Sequence, residues 1–186
     1  VIDQIFQLLP PDTILHLQLL SKTVQHVVLD YIQRAWDLGS LLQPFFSNVV
    51  SFRRILHETQ AVVSGSQPIQ FFSRSHYDDS DLDIYVQIEG ALALGQWLQR
   101  HHYMYRPHDS SSLTFYEAFL RMAVARSKPT FLTAQEGYDD VPITAVFNFH
   151  KTQTGSERHR SQLVQIIVVS EPPLQCILQF HSSTSH

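Results

Sequence analysis

Apolar positions recur at helical spacing through the first fifty residues, then switch repeatedly between helical and strand spacing. Ile2, Ile5, Phe6 and Leu9 fall at i, i+3, i+4 and i+7, one face of a helix. Pro10-Pro11-Asp12 breaks that helix and starts the next, a short apolar one over Ile14 to Leu20. Ser21 is placed to cap a third, whose stripe is Val24, Val27, Val28, Tyr31, Ile32 and Ala35. Three such helices bury little by themselves and need a partner or the rest of the chain. Phe52, Ile55, Leu56 and Thr59 predict another helix, and Gln60 to Ser64 a short strand running into Gly65. A helix restarts over Gln67 to Phe72, with Pro68 confined to its first turn.

The second half alternates in the same way. Leu82 to Ile88 has strand periodicity, and Gly90 to His101 reads as a helix built on Leu92, Leu94, Trp97 and Leu98. Arg106 to Ser112 reads as a loop and Thr114 to Arg126 as a helix with Phe115, Phe119, Met122 and Ala123 on one face. After the polar stretch Ser127 to Pro142, two strands over Ile143 to Phe149 and Leu163 to Val169 form an antiparallel hairpin across the loop Lys151 to Gln162. Pro172-Pro173 ends it, and a last helix covers Leu174 to Phe180. The class this predicts is α+β.

The 186 residues suffice for one ordinary domain plus a small helical module. A content of 44% hydrophobic and 16% charged residues belongs to a globular chain. The net charge of −4 supplies no overall basic field, which argues against nucleic acid as a partner. Cys176 is the single cysteine, so no intramolecular disulfide forms; a reducing, intracellular setting is expected. It lies in an apolar run and reads as a buried structural thiol. No apolar run is long enough to predict a transmembrane helix, and no charged-then-apolar leader is present. The chain opens at Val1 inside an amphipathic pattern and stops soon after an apolar run, which reads as a piece of a longer protein.

The candidate chemistry sits in Ser64-Gly65-Ser66 and Ser80-Asp81-Leu82-Asp83-Ile84-Tyr85-Val86. Side chains alternate across a strand, so Asp81 and Asp83 share one face while Leu82, Ile84 and Val86 share the other. Carboxylates ~6 Å apart repel by roughly 0.7 kcal/mol in water and by about 3 kcal/mol at an effective dielectric near 20. A pair left in water is harmless. A partly buried pair calls for a cation or for a basic neighbour such as Arg74.

This pattern resembles the nucleotidyltransferase superfamily related to DNA polymerase β, over about residues 52 to 180. The resemblance implies a mixed sheet flanked by helices and transfer of a nucleoside monophosphate from an NTP to an acceptor. It implies that Ser64, Gly65 and Ser66 cradle the triphosphate and that Asp81 and Asp83 hold Mg²⁺ and carry the catalysis. Glycine admits phosphate close to the backbone, and the following helix N-terminus favours anions. Active members carry a third carboxylate on a later strand, where this chain has Gln165 in Leu163-Val164-Gln165-Ile166-Ile167-Val168. An amide oxygen can ligate Mg²⁺ but brings neither charge nor a base. Glu171 is a substitute, with Asp139 and Asp140 behind it.

Ile5-Phe6-Gln7-Leu8-Leu9-Pro10 and Leu17-Gln18-Leu19-Leu20-Ser21-Lys22 resemble the helices of an F-box, whose usual leading Leu-Pro would precede Val1. That resemblance implies docking of residues 1–35 on a Skp-type adaptor of a ubiquitin ligase. The combination is similar to fungal proteins described as F-box-like or nucleotidyltransferase-like. The expected domains are an F-box-like module over 1–50 and a nucleotidyltransferase-like domain over 51–186.

Other features have plainer readings. Asp81 and Asp83 also fit a solvated strand, Gly65 an ordinary turn and Ser66 a helix cap. The adjacent His101-His102 diverge on a helix and cannot share an ion, and none of the eleven histidines sits in a zinc-type spacing. Tyr103, Tyr105 and Arg106 either stack a base or pack. Arg158, His159 and Arg160 form a small basic patch in the hairpin loop, read as solvated or as an acceptor-phosphate contact. Two readings stay open: a Mg²⁺-dependent nucleotidyltransferase, or a catalytically degenerate relative that recognises a partner.

Overall fold

The computed structural model describes residues 2–75, 77, 80–108, 113–127, 142–152 and 161–182. Among them run α1 (Ile2–Leu8), α2 (Pro11–Leu17), α3 (Lys22–Ala35), α4 (Leu38–Leu42), α5 (Val49–Thr59), β1 (Val62–Ser64) and α6 (Ser66–Ser73). Then follow β2 (Leu82–Gln87), α7 (Ile88–Arg100), β3 (Met104–Arg106), α8 (Phe115–Ser127), β4 (Ile143–Thr152), β5 (Ser161–Val169) and α9 (Pro173–Ser182). The chain is α+β, with the short helices at its N-terminus as expected. It divides into two compact units: Val1–Val49 with Gly65–Ser80, and Val50–Ser64 with Asp81–His186.

The first unit is helical. Pro11 opens α2 and Ser21 caps α3, its hydroxyl accepting from the Val24 N–H at 3.3 Å. Phe6, Ile14, Val28 and Tyr31 form a small core, with Leu9, Leu17, Val24, Val27, Ile32, Ala35 and Trp36 packed around it. The apolar stripe of α1 is only half used: Ile2 and Ile5 stay 51% and 52% exposed. The sequence pattern missed α4, whose start is an Asp37 cap accepting from the N–H groups of Gly39 and Ser40. Arg74 ties α6 into this unit. It donates to the carbonyl of Phe6 at 2.7 Å, to Tyr31 Oη at 2.8 Å and to the carbonyl of Leu9, and lies 5.5 Å from the Trp36 ring centre.

The second unit is a five-stranded mixed sheet in the order β1-β2-β5-β4-β3. β2 and β5 are parallel, and the other neighbours are antiparallel. One face carries Leu82, Ile84, Val86, Val164, Ile166, Val168, Phe147 and Phe149, all buried. The aromatic ring of Phe115 on α8 meets Phe147 and Phe149 there at 5.3 and 5.1 Å, and α7 lies against the same layer through Gly90 and Gly95. A Cβ at Gly95 would land on the Phe115 ring, and one at Gly90 would meet the Thr59 carbonyl at 2.7 Å. Both positions therefore require glycine for close approach. On the other face α9 sets the buried Cys176 against Ile167 and Val169.

The hairpin expected over 143–169 forms, with longer strands than the pattern indicated, reaching Thr152 and starting at Ser161. The sequence pattern leaves Met104 and Tyr105 unassigned and starts a loop at Arg106, where the structure has β3. Its three residues are too few to display a period of two, and only pairing with β4 defines them.

Candidate functional site

Strand register assembles a polar row across the whole sheet of the second unit. Ser64 on β1 faces Asp83 on β2, Asp83 faces Gln165 on β5, Gln165 faces Asn148 on β4, and Asn148 faces Arg106 on β3. Laterally paired residues share a face, so these five side chains leave the sheet on the side opposite the Phe147 and Ile84 core. His150, two residues beyond Asn148 on β4, lies on that side as well, and Asp81, just before β2, is near enough to feel the His150 charge and to act on Asp83. The alternation Leu82-Asp83-Ile84 forces the carboxylate outward, because shifting register by one would bury it.

Asp81 and Asp83 are partly buried, and neither carboxylate is hydrogen-bonded or ion-paired to a described residue. Burial raises the Asp83 carboxyl above its ordinary value, and the Asp81 charge adds to the rise. Burial also raises Asp81, opposed by the nearby His150. The His150 imidazole is held below its usual value by burial and by the Arg106 charge, with Asp81 acting the other way. Gln165 Nε2 donates to Asn148 Oδ1 at 3.0 Å, which fixes the amide at the position opposite Asp83.

The Gly-Ser turn begins where β1 ends. Ser64 closes β1 opposite Asp83, and Gly65 follows at φ 77° and ψ −145°, a conformation that favours glycine. Gly65 is itself the N-cap of α6 with no side-chain cap, so Ser66 is the first helical residue and not the cap that its type suggested. Pro68 sits in the first turn, as expected. Within the first unit, buried Gln67 and Gln70 both donate to Ser80 Oγ, at 2.6 and 2.8 Å. Gln70 Oε1 in turn accepts from the Tyr77 N–H at 2.7 Å. These bonds anchor the segment that leads into Asp81.

Several candidates resolve differently from expectation. Arg74 does not neutralise the aspartates, since both its Nη atoms serve Phe6, Leu9 and Tyr31 in the first unit. Glu171 is no stand-in third carboxylate: it lies beyond the end of β5 at Val169, which pairs with Gln87 at the other end of β2 from Asp83, and it accepts from Gln179 at 3.0 Å. Asp139 and Asp140, and likewise Arg158, His159 and Arg160, lie outside the described residues. Tyr103 is buried, and half-buried Tyr105 packs against Phe115, Phe147 and Phe149 at 5.8, 6.1 and 5.7 Å, so this aromatic pair packs within the domain. His101 stacks on Trp97 with ring centres 3.7 Å apart. Sequence reasoning missed Asn148 and His150, although Phe147-Asn148-Phe149-His150 alternates plainly, and did not link Arg106 to the aspartates.

The donor set suits a hard cation. Among the described residues no group of three or more His, Cys, Asp or Glu could hold a metal ion. Two carboxylates with an amide oxygen nevertheless match Mg²⁺, which commonly takes one or two carboxylates and completes its shell with water and phosphate oxygens. Partly buried carboxylates that repel each other, with only the His150 imidazole as a nearby basic group among the described residues, fit such an ion. Among the described residues no helix is long and apolar enough to cross a membrane.

Sheet order and polar row together define an α+β domain with an oxygen-rich site on one sheet face. No protein-family model, curated protein or solved structure matches the chain.

Proposed function

We propose that the second unit is a nucleotidyltransferase-type domain that binds a nucleoside triphosphate with one Mg²⁺ at Asp81 and Asp83, and that Gln165 leaves it without efficient transfer. The observation that carries this reading is the alignment of Ser64, Asp83 and Gln165 on three neighbouring strands. It supports a phosphate turn, a metal carboxylate and a third ligand position side by side. Asp81 and Asp83 would hold Mg²⁺, which when bound supplies charge neutralisation and orientation of the phosphates. Ser64, which closes β1 opposite Asp83 within the same unit, would offer its hydroxyl to a phosphate. Gln165 offers an oxygen but cannot take a proton from an attacking hydroxyl, nor add the charge a second metal needs.

Calorimetric titration of a non-hydrolysable NTP with Mg²⁺ tests this reading. Wild type should bind with one cation per site, and Asp81→Asn/Asp83→Asn should lose the metal-dependent part. No binding by folded wild type would reject it.

A second reading concerns the first unit. Ile2, Ile5, Leu8, Leu15, Leu19 and Leu20 are exposed by 51, 52, 86, 52, 82 and 70% on α1, α2 and the turn after them. That supply of apolar side chains favours an F-box-type contact of residues 1–35 with a Skp-type adaptor, in an intracellular protein. Leu19→Glu/Leu20→Glu should abolish co-purification with the adaptor while leaving nucleotide binding unchanged.

A further inference from the structure

The polar row carries opposite hydrogen-bonding character at its two ends. Gln165 Nε2 donates to Asn148 Oδ1, so among the described residues the Gln165 carbonyl oxygen and the Asn148 Nδ2, with its two hydrogens, have no partner. The β2/β5 half thus presents oxygens, from Asp81, Asp83 and Gln165. The β4/β3 half presents N–H donors, from Asn148 and Arg106. Arg106 is exposed and makes no ion pair or hydrogen bond through its guanidinium with a described residue. Its place is locked by its neighbour: Tyr105, one residue back, is packed into the Phe115, Phe147 and Phe149 cluster, so Arg106 must leave on the opposite face.

We propose that Arg106 and the Asn148 amide form an anion subsite for a phosphate group of a second ligand, separate from the phosphates that share the cation at Asp81 and Asp83. The guanidinium fork matches two phosphate oxygens, and the amide N–H supplies a further donor. Distance separates the two ends. Asp83 and Arg106 stand three strand spacings apart, about 14 Å, with His150 near enough to feel both the Arg106 and the Asp81 charge, whereas a phosphate oxygen on Mg²⁺ lies about 2 Å from the ion. The subsite assigns a class to the molecule that shares the face with the nucleotide: a phosphorylated small molecule. That role rests on the nucleotide reading, but the subsite does not.

Inorganic phosphate titrated into the full chain without Mg²⁺, followed by ³¹P line broadening and calorimetry, tests it. Wild type should bind saturably. Arg106→Gln should weaken binding by about tenfold or more with unchanged thermal unfolding, and Arg106→Lys should recover part of it. Equal affinity in wild type and Arg106→Gln, or no saturable binding by wild type, overturns the subsite. A second titration is run with Mg²⁺ and the non-hydrolysable NTP at saturation. Phosphate binding that persists supports a separate ligand. Displacement of phosphate by the analogue assigns the anion to the nucleotide itself and overturns the separate ligand. If the analogue fails to bind while Arg106-dependent phosphate binding remains, the nucleotide reading falls and the subsite stands.

Discussion

Gln165 lies directly opposite Asp83 on a parallel neighbouring strand and is held there by a 3.0 Å hydrogen bond to Asn148. The amide satisfies its own strand neighbour while placing no negative charge beside a carboxylate whose protonation burial already favours. Replacing it with a carboxylate reverses that balance. Gln165→Asp should lower the melting temperature in chelator and raise Mg²⁺ affinity by about tenfold, since a charged third ligand adds to the cation's field and to the repulsion without it. Thermal unfolding with and without Mg²⁺ reads both effects, and an unchanged Mg²⁺ response would separate Gln165 from the cation.

The same carboxylates set a pH dependence. Asp81 and Asp83 have folded values above the ordinary 3.8, so the folded state holds these protons more tightly than the unfolded chain. Their favourable contribution is fully present below the ordinary value and is lost as pH rises through the raised folded values. In cation-free buffer the stability of the second unit should fall across that window. Asp83→Asn should flatten the fall, and saturating Mg²⁺ should offset it, by about 2.7 kcal/mol at a hundred times the dissociation constant. Urea titrations at stepped pH measure the slope; a rising slope attributable to Asp83 would contradict the assignment.

Gly95 tests the core beneath the row. A methyl group at this position meets the Phe115 ring, itself wedged between Phe147 and Phe149. Gly95→Ala should destabilise the second unit by about 1–3 kcal/mol, read as a lowered urea midpoint. Phe115→Leu in the same chain should relieve part of that loss by opening space for the methyl.

Arg74 tests the first unit. Its guanidinium serves two carbonyls and the Tyr31 hydroxyl beside the Trp36 ring, and its Nε is buried without a partner. Arg74→Met should cost about 2–4 kcal/mol by removing those three hydrogen bonds, and Arg74→Lys should recover little because an ammonium lacks the planar fork. Hydrogen exchange should accelerate in α1, α3 and α6 together.

Much of the local structure was legible in the chain. Ser21 caps α3 through an oxygen three residues from the N–H it accepts, and Leu82-Asp83-Ile84 orients a carboxylate through the strand period alone. The hairpin of β4 and β5 was legible for the same reason, from apolar alternation on both sides of a polar loop. α4 was not: five residues carry no helical period, and the Asp37 cap that starts it was passed over. The stripe on α1 was legible as one helix face, but periodicity tells which side chains share a face and not whether a neighbour covers them.

The sequence by itself determined the elements, the inward and outward side chains of β2, and the Gly65 turn, because caps, periods and positive φ depend on residues a few positions apart. Tertiary structure alone decided that Ser64, Asp83, Gln165, Asn148 and Arg106 form one row, that α6 is bound to the N-terminal helices through Arg74, and that Tyr105 packs against Phe115, Phe147 and Phe149. Those outcomes follow from strand register and packing between residues distant in the chain, where one step of slippage would exchange the polar face for the buried one.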